Sequence, residues 1–228
     1  MNSVNSVSAE NKDLSEKEFR KIHVRPKPVY DFLKRIFDFT VALIMLIVLA
    51  VPLLIVALII VIDNPGASPI YVQKRVKKNG QEFNFYKFRS MVPNAESMLD
   101  SLLEQNEMDG PAFKMKDDPR ITRFGRVIRK TCIDELPQLL NVIKGEMSLV
   151  GPRPPLPREV AMYDEYQKQR LSIKPGITCF WQVMPERNTV SFDDWLKSDL
   201  EYIEVRSIRT DLIILIKTVG TVLGMEGI

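Results

Sequence analysis

Two adjacent carboxylates, Asp134 and Glu135, are the residues of this sequence best suited to chemistry. They lie in the stretch CIDELPQLLNVIKGEMSLVGPRPP, which ends in a stiff Gly-Pro-Arg-Pro-Pro loop. In an acidic pair among arginines, one carboxylate could attack phosphorus or take a proton, while the other could hold a divalent cation. The arginines could neutralise the charge of the substrate. Together with a long apolar segment upstream, the pattern indicates an enzyme that acts on phosphate groups at a membrane surface.

The remaining composition excludes several classes of enzyme. The single histidine, His23, lies in a polar N-terminal arm. A Ser-His-Asp triad, a Cys-His pair in the folded core and a histidine-rich zinc site therefore lack their histidine. Cys132 and Cys179 have no Cys-x-x-Cys spacing, which favours small buried thiols in a reducing compartment. A net charge of +3 gives no reason to expect nucleic-acid binding.

The apolar segment from Phe39 to Ile62 contains no charged side chain. As one straight helix it would be about 36 Å long, enough for a hydrocarbon core of about 30 Å. Pro52 lies in its middle and should bend it, because proline removes a backbone hydrogen bond. Basic residues flank both ends, which favours placing both ends on the cytoplasmic side. A re-entrant helix satisfies both observations, and an ordinary kinked span remains the alternative.

The rest of the chain predicts a small folded domain. Residues 1–20 are polar and predict a disordered arm, which Arg25-Pro-Lys-Pro connects to the apolar segment. β-formers on both sides of Asn79-Gly80 predict a short hairpin. Helical patterns cover 95–103, 134–143, 159–171, 192–205 and 211–223.

Five blocks of the sequence carry a family resemblance. Besides the stretch that holds Asp134, they are the apolar segment through YKFRSM, DDPRITRFGRVIRKT, KPGITCFWQV and DLIILIKTV. The chain from Tyr30 onward resembles the bacterial sugar transferases, the monotopic polyprenyl-phosphate phosphoglycosyl transferases. The resemblance implies an α/β, mostly helical fold with an arm and connector (1–29), a Pro-kinked re-entrant membrane helix (30–63) and a compact cytosolic catalytic domain (64–228). That domain would contain the hairpin and amphipathic interface helices. Relatives break the helix at a Ser-Pro pair, which is Val51-Pro52 here.

The resemblance also implies a mechanism. In this family the aspartate at the position of Asp134 attacks the β-phosphorus of a UDP-sugar, releases UMP and forms an aspartyl-phosphosugar. Polyprenyl (undecaprenyl) phosphate then takes the phosphosugar. The adjacent glutamate, here Glu135, resembles the residue that binds Mg²⁺. From the residues alone, Asp134 could equally be a helix N-cap.

The matched motifs imply a set of substrate-binding residues. Arg129 and Arg153, the latter between Pro152 and Pro154, match phosphate or uridine contacts. In relatives Arg187 follows a glycine, which is Glu186 here. Lys87 matches a phosphate contact, although an amphipathic strand explains its spacing equally well. Asp211 matches a functional aspartate, or it could only cap the last helix.

The resemblance therefore implies a hexose-1-phosphate transferase at the cytoplasmic face of the bacterial inner membrane. UDP-glucose or UDP-galactose is the expected donor, and the product would start a polysaccharide. Two alternatives stay open. One is a glycosyltransferase that uses Asp134 as a base and releases UDP, and the other is a non-catalytic membrane anchor. The oligomeric state has no signal in the sequence.

Overall fold

The computed structural model describes residues 21–185 and 190–224. Its apolar segment forms two helices, α1 (Pro28–Val48) and α2 (Ala50–Asp63), which meet at Leu49 with a bend of 64°. Pro52 explains the bend, because it has no N–H to donate to the carbonyl of Val48 four residues earlier. The predicted bend is confirmed. Within the described ranges, no single helix is long and apolar enough to cross a bilayer, but this bent pair meets that requirement by length and composition.

Polar side chains along α1 attach it to the rest of the protein. Arg35 donates hydrogen bonds to the carbonyls of Val142 (2.6 Å) and Ile143 (2.8 Å) at the end of a later helix. One turn further along, the buried carboxylate of Asp38 accepts a 2.7 Å hydrogen bond from the Ser148 hydroxyl. These contacts fix the direction in which the apolar helices leave the domain.

The hairpin predicted around Asn79-Gly80 is confirmed. Strand β1 (Ile70–Val76) pairs antiparallel with β2 (Glu82–Phe88). Asn79 and Gly80 both adopt positive φ, 61° and 74°, which is the conformation that a tight turn requires. The Asn141 side chain holds the hairpin against the domain, since its amide donates to the carbonyl of Asn84 (2.6 Å) and accepts from the N–H of Tyr86 (3.2 Å).

The main core lies between the hairpin, α1 and a two-stranded parallel sheet. In this sheet β3 (Ser148–Val150) pairs with β4 (Gly176–Thr178). Phe83 and Phe85 on β2, Ala42 on α1 and Tyr202 from a later helix meet buried aliphatic residues there. The residues just before the connector also pack, with Ile22 buried against Tyr166 and other apolar side chains. The predicted disordered arm, residues 1–20, lies outside the described residues.

Two predicted helices are wrong and two others are revised. Residues 95–103 form turns and a 3₁₀ helix, because the hydroxyls of Ser97 and Ser101 bond nearby backbone carbonyls instead of leaving the backbone free to propagate a helix. The predicted helix over 159–171 divides, since Asp164 starts a new helix with its own capping box. The region 134–143 begins as a 3₁₀ helix that contains Pro137, and the last helix starts at Ile208.

The helix over Phe192–Val205 has the predicted bounds. In chain order the other helices are α3 (Arg123–Lys130), α4 (Leu139–Lys144), α5 (Pro157–Val160), α6 (Glu165–Lys168), α7 (Phe192–Val205) and α8 (Ile208–Leu223). The 3₁₀ segments are Lys78–Gly80, Asp100–Gln105, Ile133–Gln138, Gln169–Ser172 and Trp181–Val183.

Candidate active site

A tight turn between α3 and the 3₁₀ helix Ile133–Gln138 positions the acidic pair. Cys132 makes the turn in the left-handed conformation (φ 56°), which is uncommon for a residue with a side chain. Asp134 follows in the first 3₁₀ turn and is only 4% exposed. The N-cap interpretation of Asp134 is wrong, because Cys132 occupies the cap position and no side chain caps this segment.

Burial and charge act against each other at Asp134. Burial raises the pKa of its carboxyl group to about 6, and the positive charges of Lys87, Arg129 and Arg153 oppose this rise, while neighbouring Glu135 adds to it. Asp134 is therefore mostly ionised at neutral pH. Burial also lowers the pKa of Lys87 to about 8, against the influence of the two carboxylates. The structure thus brings Lys87 on β2 next to the acidic pair.

The Gly-Pro-Arg-Pro-Pro loop brings Arg153 to Glu135, with 3.5 Å between Nη1 and Oε1. Backbone hydrogen bonds hold the loop on both sides: the Gly176 N–H donates to the Pro152 carbonyl (2.9 Å) and the Val76 N–H to the Pro155 carbonyl (2.9 Å). A side chain at Gly151 would lie 2.6 Å from the Lys174 carbonyl oxygen, so the approach of the loop to this segment requires glycine. The prolines and these bonds keep Arg153 in a fixed position.

Two arginines that the sequence analysis did not select also hold this loop. Arg75 Nη1 donates to the Pro154 carbonyl at 2.9 Å, and burial lowers the pKa of Arg75 to about 10. Arg170 Nη2 donates to the Arg153 carbonyl at 3.3 Å and forms a buried ion pair with Asp199. Arg75 belongs to a basic cluster visible in the sequence, whereas nothing in the spacing of Arg170 indicates its burial.

These residues open into a cleft of about 2240 Å³. Asp134 and Glu135 lie in its wall with the cations Lys87, Arg129 and Arg153. Within the described residues, Lys87 and Arg129 make no ion pair closer than 4 Å, so both cations can bind an anion. Pro154 lines the cleft as well, together with apolar residues of α1 and of its bend into α2: Val41, Met45 and Leu49.

Asp211 lies outside this cleft, in a buried network beneath α1. It accepts hydrogen bonds from Lys34 Nζ (2.8 Å) and from the hydroxyls of Tyr30 (2.9 Å) and Tyr202 (2.7 Å). The structure therefore makes Asp211 the junction of α1, α7 and α8. It does not cap the last helix either, since Ser207 does so. The remaining predicted contact, Arg187, lies outside the described residues.

The acidic pair suits a magnesium ion bound jointly with a substrate. In the described part of the chain, no group of three or more His, Cys, Asp or Glu side chains could form a complete metal site. Mg²⁺ needs fewer protein ligands, because it commonly binds one or two carboxylates, substrate phosphates and water. Glu135, whose side chain is 20% exposed at the cleft, can provide a carboxylate of this kind.

Comparisons with known proteins agree with the geometry. The family described as bacterial sugar transferase matches residues 29–225. The galactosyl transferase CpsE of Streptococcus agalactiae is 48% identical over 192 residues, covering 83% of this chain and 42% of the relative. The undecaprenyl-phosphate galactose phosphotransferase of Salmonella typhimurium is 44% identical over 86% of this chain and 41% of its own length. The exopolysaccharide production protein ExoY of Sinorhizobium fredii is 39% identical over 88% of this chain and 90% of the relative. The chain thus spans about two fifths of the first two relatives.

Proposed function

Since this chain belongs to the bacterial sugar transferase family, we propose that it transfers a sugar-1-phosphate from a UDP-sugar to polyprenyl phosphate. Undecaprenyl phosphate is the acceptor named for one relative. The observation that carries the proposal is the buried carboxylate of Asp134, which lies among cations in a cleft that extends to the bend between α1 and α2.

In the first step, a carboxylate oxygen of Asp134 attacks the β-phosphorus of the UDP-sugar. The bond from this phosphorus to the bridging oxygen breaks, and UMP leaves with the electron pair. Asp134 then carries the sugar phosphate as an acyl phosphate, which is a good phosphoryl donor. No general base is needed, because the carboxylate is already ionised at neutral pH.

In the second step, a phosphate oxygen of the lipid attacks the same phosphorus. The bond to Asp134 breaks, the carboxylate is restored, and polyprenyl-diphosphate-sugar forms. The cations Lys87, Arg129 and Arg153 would counter the negative charge of the phosphates in both steps. Glu135, with Asp134 beside it, would hold Mg²⁺, which supplies positive charge to the diphosphate when bound.

The donor and the location are parts of the same proposal. Galactose occurs in the names of CpsE's activity and of the Salmonella relative, which supports UDP-galactose over UDP-glucose. The bend at Leu49 and the basic residues on both sides of the helix pair support a re-entrant element whose two ends face the cytoplasm. The lipid product would then start a polysaccharide at the inner membrane.

The decisive experiment identifies the nucleotide and the adduct. Full-length protein with Mg²⁺ and UDP-galactose, but without lipid acceptor, should release UMP and gain the mass of a hexose phosphate on Asp134. The variant Asp134→Asn should do neither. When the lipid acceptor is then added, release of UDP in place of UMP would support the glycosyltransferase alternative. Release of neither nucleotide with any UDP-sugar and acceptor would leave the membrane-anchor alternative.

A further inference from the structure

Arg89 is a cleft residue that neither the sequence analysis nor the mechanism above uses. It follows the last residue of β2, and its N–H donates to the Pro69 carbonyl at 2.8 Å, which continues the hairpin ladder by one residue. Lys87 and Arg89 are two positions apart, so both side chains leave the same face of the strand, about 7 Å from each other. Both line the cleft. One face of the strand therefore presents two neighbouring cations, Lys87 and Arg89, to the cleft.

The side chain of Arg89 is fixed, but its terminal nitrogens remain available. Its Nε donates to the Ser68 carbonyl at 2.8 Å, and its guanidinium carbon lies 5.7 Å from the centre of the Tyr71 ring. Among the residues that the structure describes, no carboxylate lies within ion-pair distance of Arg89, and its two terminal nitrogens make no hydrogen bond. A guanidinium held in this way is preorganised to bind a phosphate through two parallel hydrogen bonds.

Arg89 also lies on the side of the cleft nearest the end of α2. Ser68, its hydrogen-bond partner, follows closely after the end of α2 at Asp63. Phe88, the residue before Arg89, packs against Ile60 of α2. Strand β2 therefore runs toward the end of α2, with Lys87 beside Asp134 and Arg89 beside the segment that follows α2. A lipid phosphate that enters from the bilayer would reach Arg89 before it reaches Asp134.

We propose that Arg89 binds the phosphate monoester of the lipid acceptor, at a position separate from the cations that surround Asp134. This inference rests on the proposed function. A second phosphate position would hold the acceptor beside the phosphosugar that Asp134 carries after UMP has left. Arg89 would then raise the occupancy of the acceptor without taking part in the formation of the aspartyl-phosphosugar.

The test measures the two half-reactions separately in detergent-solubilised, full-length protein. Arg89→Gln should release UMP and form the Asp134 adduct at the wild-type rate when no acceptor is present. Its KM for undecaprenyl phosphate should rise about tenfold or more, the effect expected from losing a charge-assisted hydrogen bond. Arg89→Lys should recover part of this loss. Arg126→Gln is the matched control, since Arg126 is exposed on α3 and outside the cleft, and it should change neither half-reaction.

Farnesyl phosphate, a short and more soluble acceptor, separates phosphate recognition from a contact with the bilayer. The increase in KM should be similar for both acceptors, because they carry the same phosphate. An increase limited to the long lipid would overturn the proposal, and so would an unchanged acceptor KM or a slower first half-reaction. If the wild-type protein itself forms no adduct, the proposed function has failed, which is a different result from a wild-type adduct with no effect of Arg89→Gln.

Discussion

The pair formed by Lys87 and Asp134 gives the most detailed prediction. Burial raises the pKa of the Asp134 carboxyl group, and the Lys87 ammonium is the largest influence that lowers it. The variant Lys87→Met removes this charge and keeps an unbranched side chain of similar length. The pKa of Asp134 should therefore rise, and a smaller fraction of the nucleophile should be ionised near neutral pH.

The expected magnitude follows from the pKa values of the site. With a pKa of about 6, half of the Asp134 carboxyl groups are ionised at pH 6. An opposite charge nearby lowers a carboxyl pKa by about one or more, so the variant should have a pKa of about 7. The ionised fraction then falls about fivefold at pH 6 and hardly at all at pH 8. Lys87 itself loses its proton near pH 8 and then no longer counters the charge of the phosphates. The wild-type rate should therefore also fall on the alkaline side.

The assay is UMP release from the UDP-sugar without acceptor, measured from pH 5 to pH 9. Omitting the lipid removes the ionisation of the acceptor phosphate from the profile. The wild type should give a bell-shaped curve, whereas Lys87→Met should show its acid limb at higher pH and no alkaline limb. Lys74→Met, at an exposed position of β1 on the same hairpin, should leave the curve unchanged. An acid limb at the same pH in Lys87→Met and wild type would refute the coupling.

The other predictions concern the acidic pair and α1. Asp134→Asn should raise the Tm by about 6–12 °C near pH 8 but hardly at pH 4, because the raised pKa means that stability is lost as the pH rises from the ordinary pKa of 3.8 to about 6. An equal change in Tm at both pH values in calorimetry would contradict this. Glu135→Gln should raise the Mg²⁺ concentration for half-maximal UMP release about tenfold, and an unchanged Mg²⁺ titration would exclude this carboxylate as a ligand. Asp211→Leu should cost about 3–5 kcal/mol in denaturant unfolding, because it removes the closer of the two carboxylates beside the Lys34 ammonium and the acceptor of two tyrosine hydroxyls. Exposed Asp31→Leu should cost little, and equal losses would refute the junction. Pro52→Ala restores a backbone N–H donor and should straighten the helix pair. Cysteines placed before and after the pair should then become labelled from opposite sides of the membrane. Labelling from the same side would show that the bend does not depend on the proline.

Features that depend on neighbouring residues could be predicted from the sequence. The bend at Pro52, the turn at Asn79-Gly80 and the helix over Phe192–Val205 follow from local backbone preferences and from the spacing of apolar residues. The wrong helices over 95–103 and 159–171 have a local origin as well. In both regions the apolar residues do have the spacing of a helix. Hydrogen bonds between side chains and the nearby backbone nevertheless interrupt the helix there.

The family motifs identified the acidic pair, but its electrostatic environment required the fold. The sequence cannot show that Lys87 from β2 lies beside Asp134, or that Arg75 and Arg170 hold the backbone on which Arg153 is carried. Similarly, Asp211 was predicted as a possible contact for substrate, and the structure instead places it at the junction beneath α1.

The sequence by itself determined which groups are present: an acidic pair, a proline in an apolar segment, and arginines between prolines. Only the tertiary structure decided what surrounds them. Local preferences act over a few residues and survive in any environment, whereas a pKa, an ion pair or an available guanidinium depends on which distant segments exclude water from the same place. For this chain, that place is the cleft in which β2, the turn at Cys132 and the loop that carries Arg153 meet.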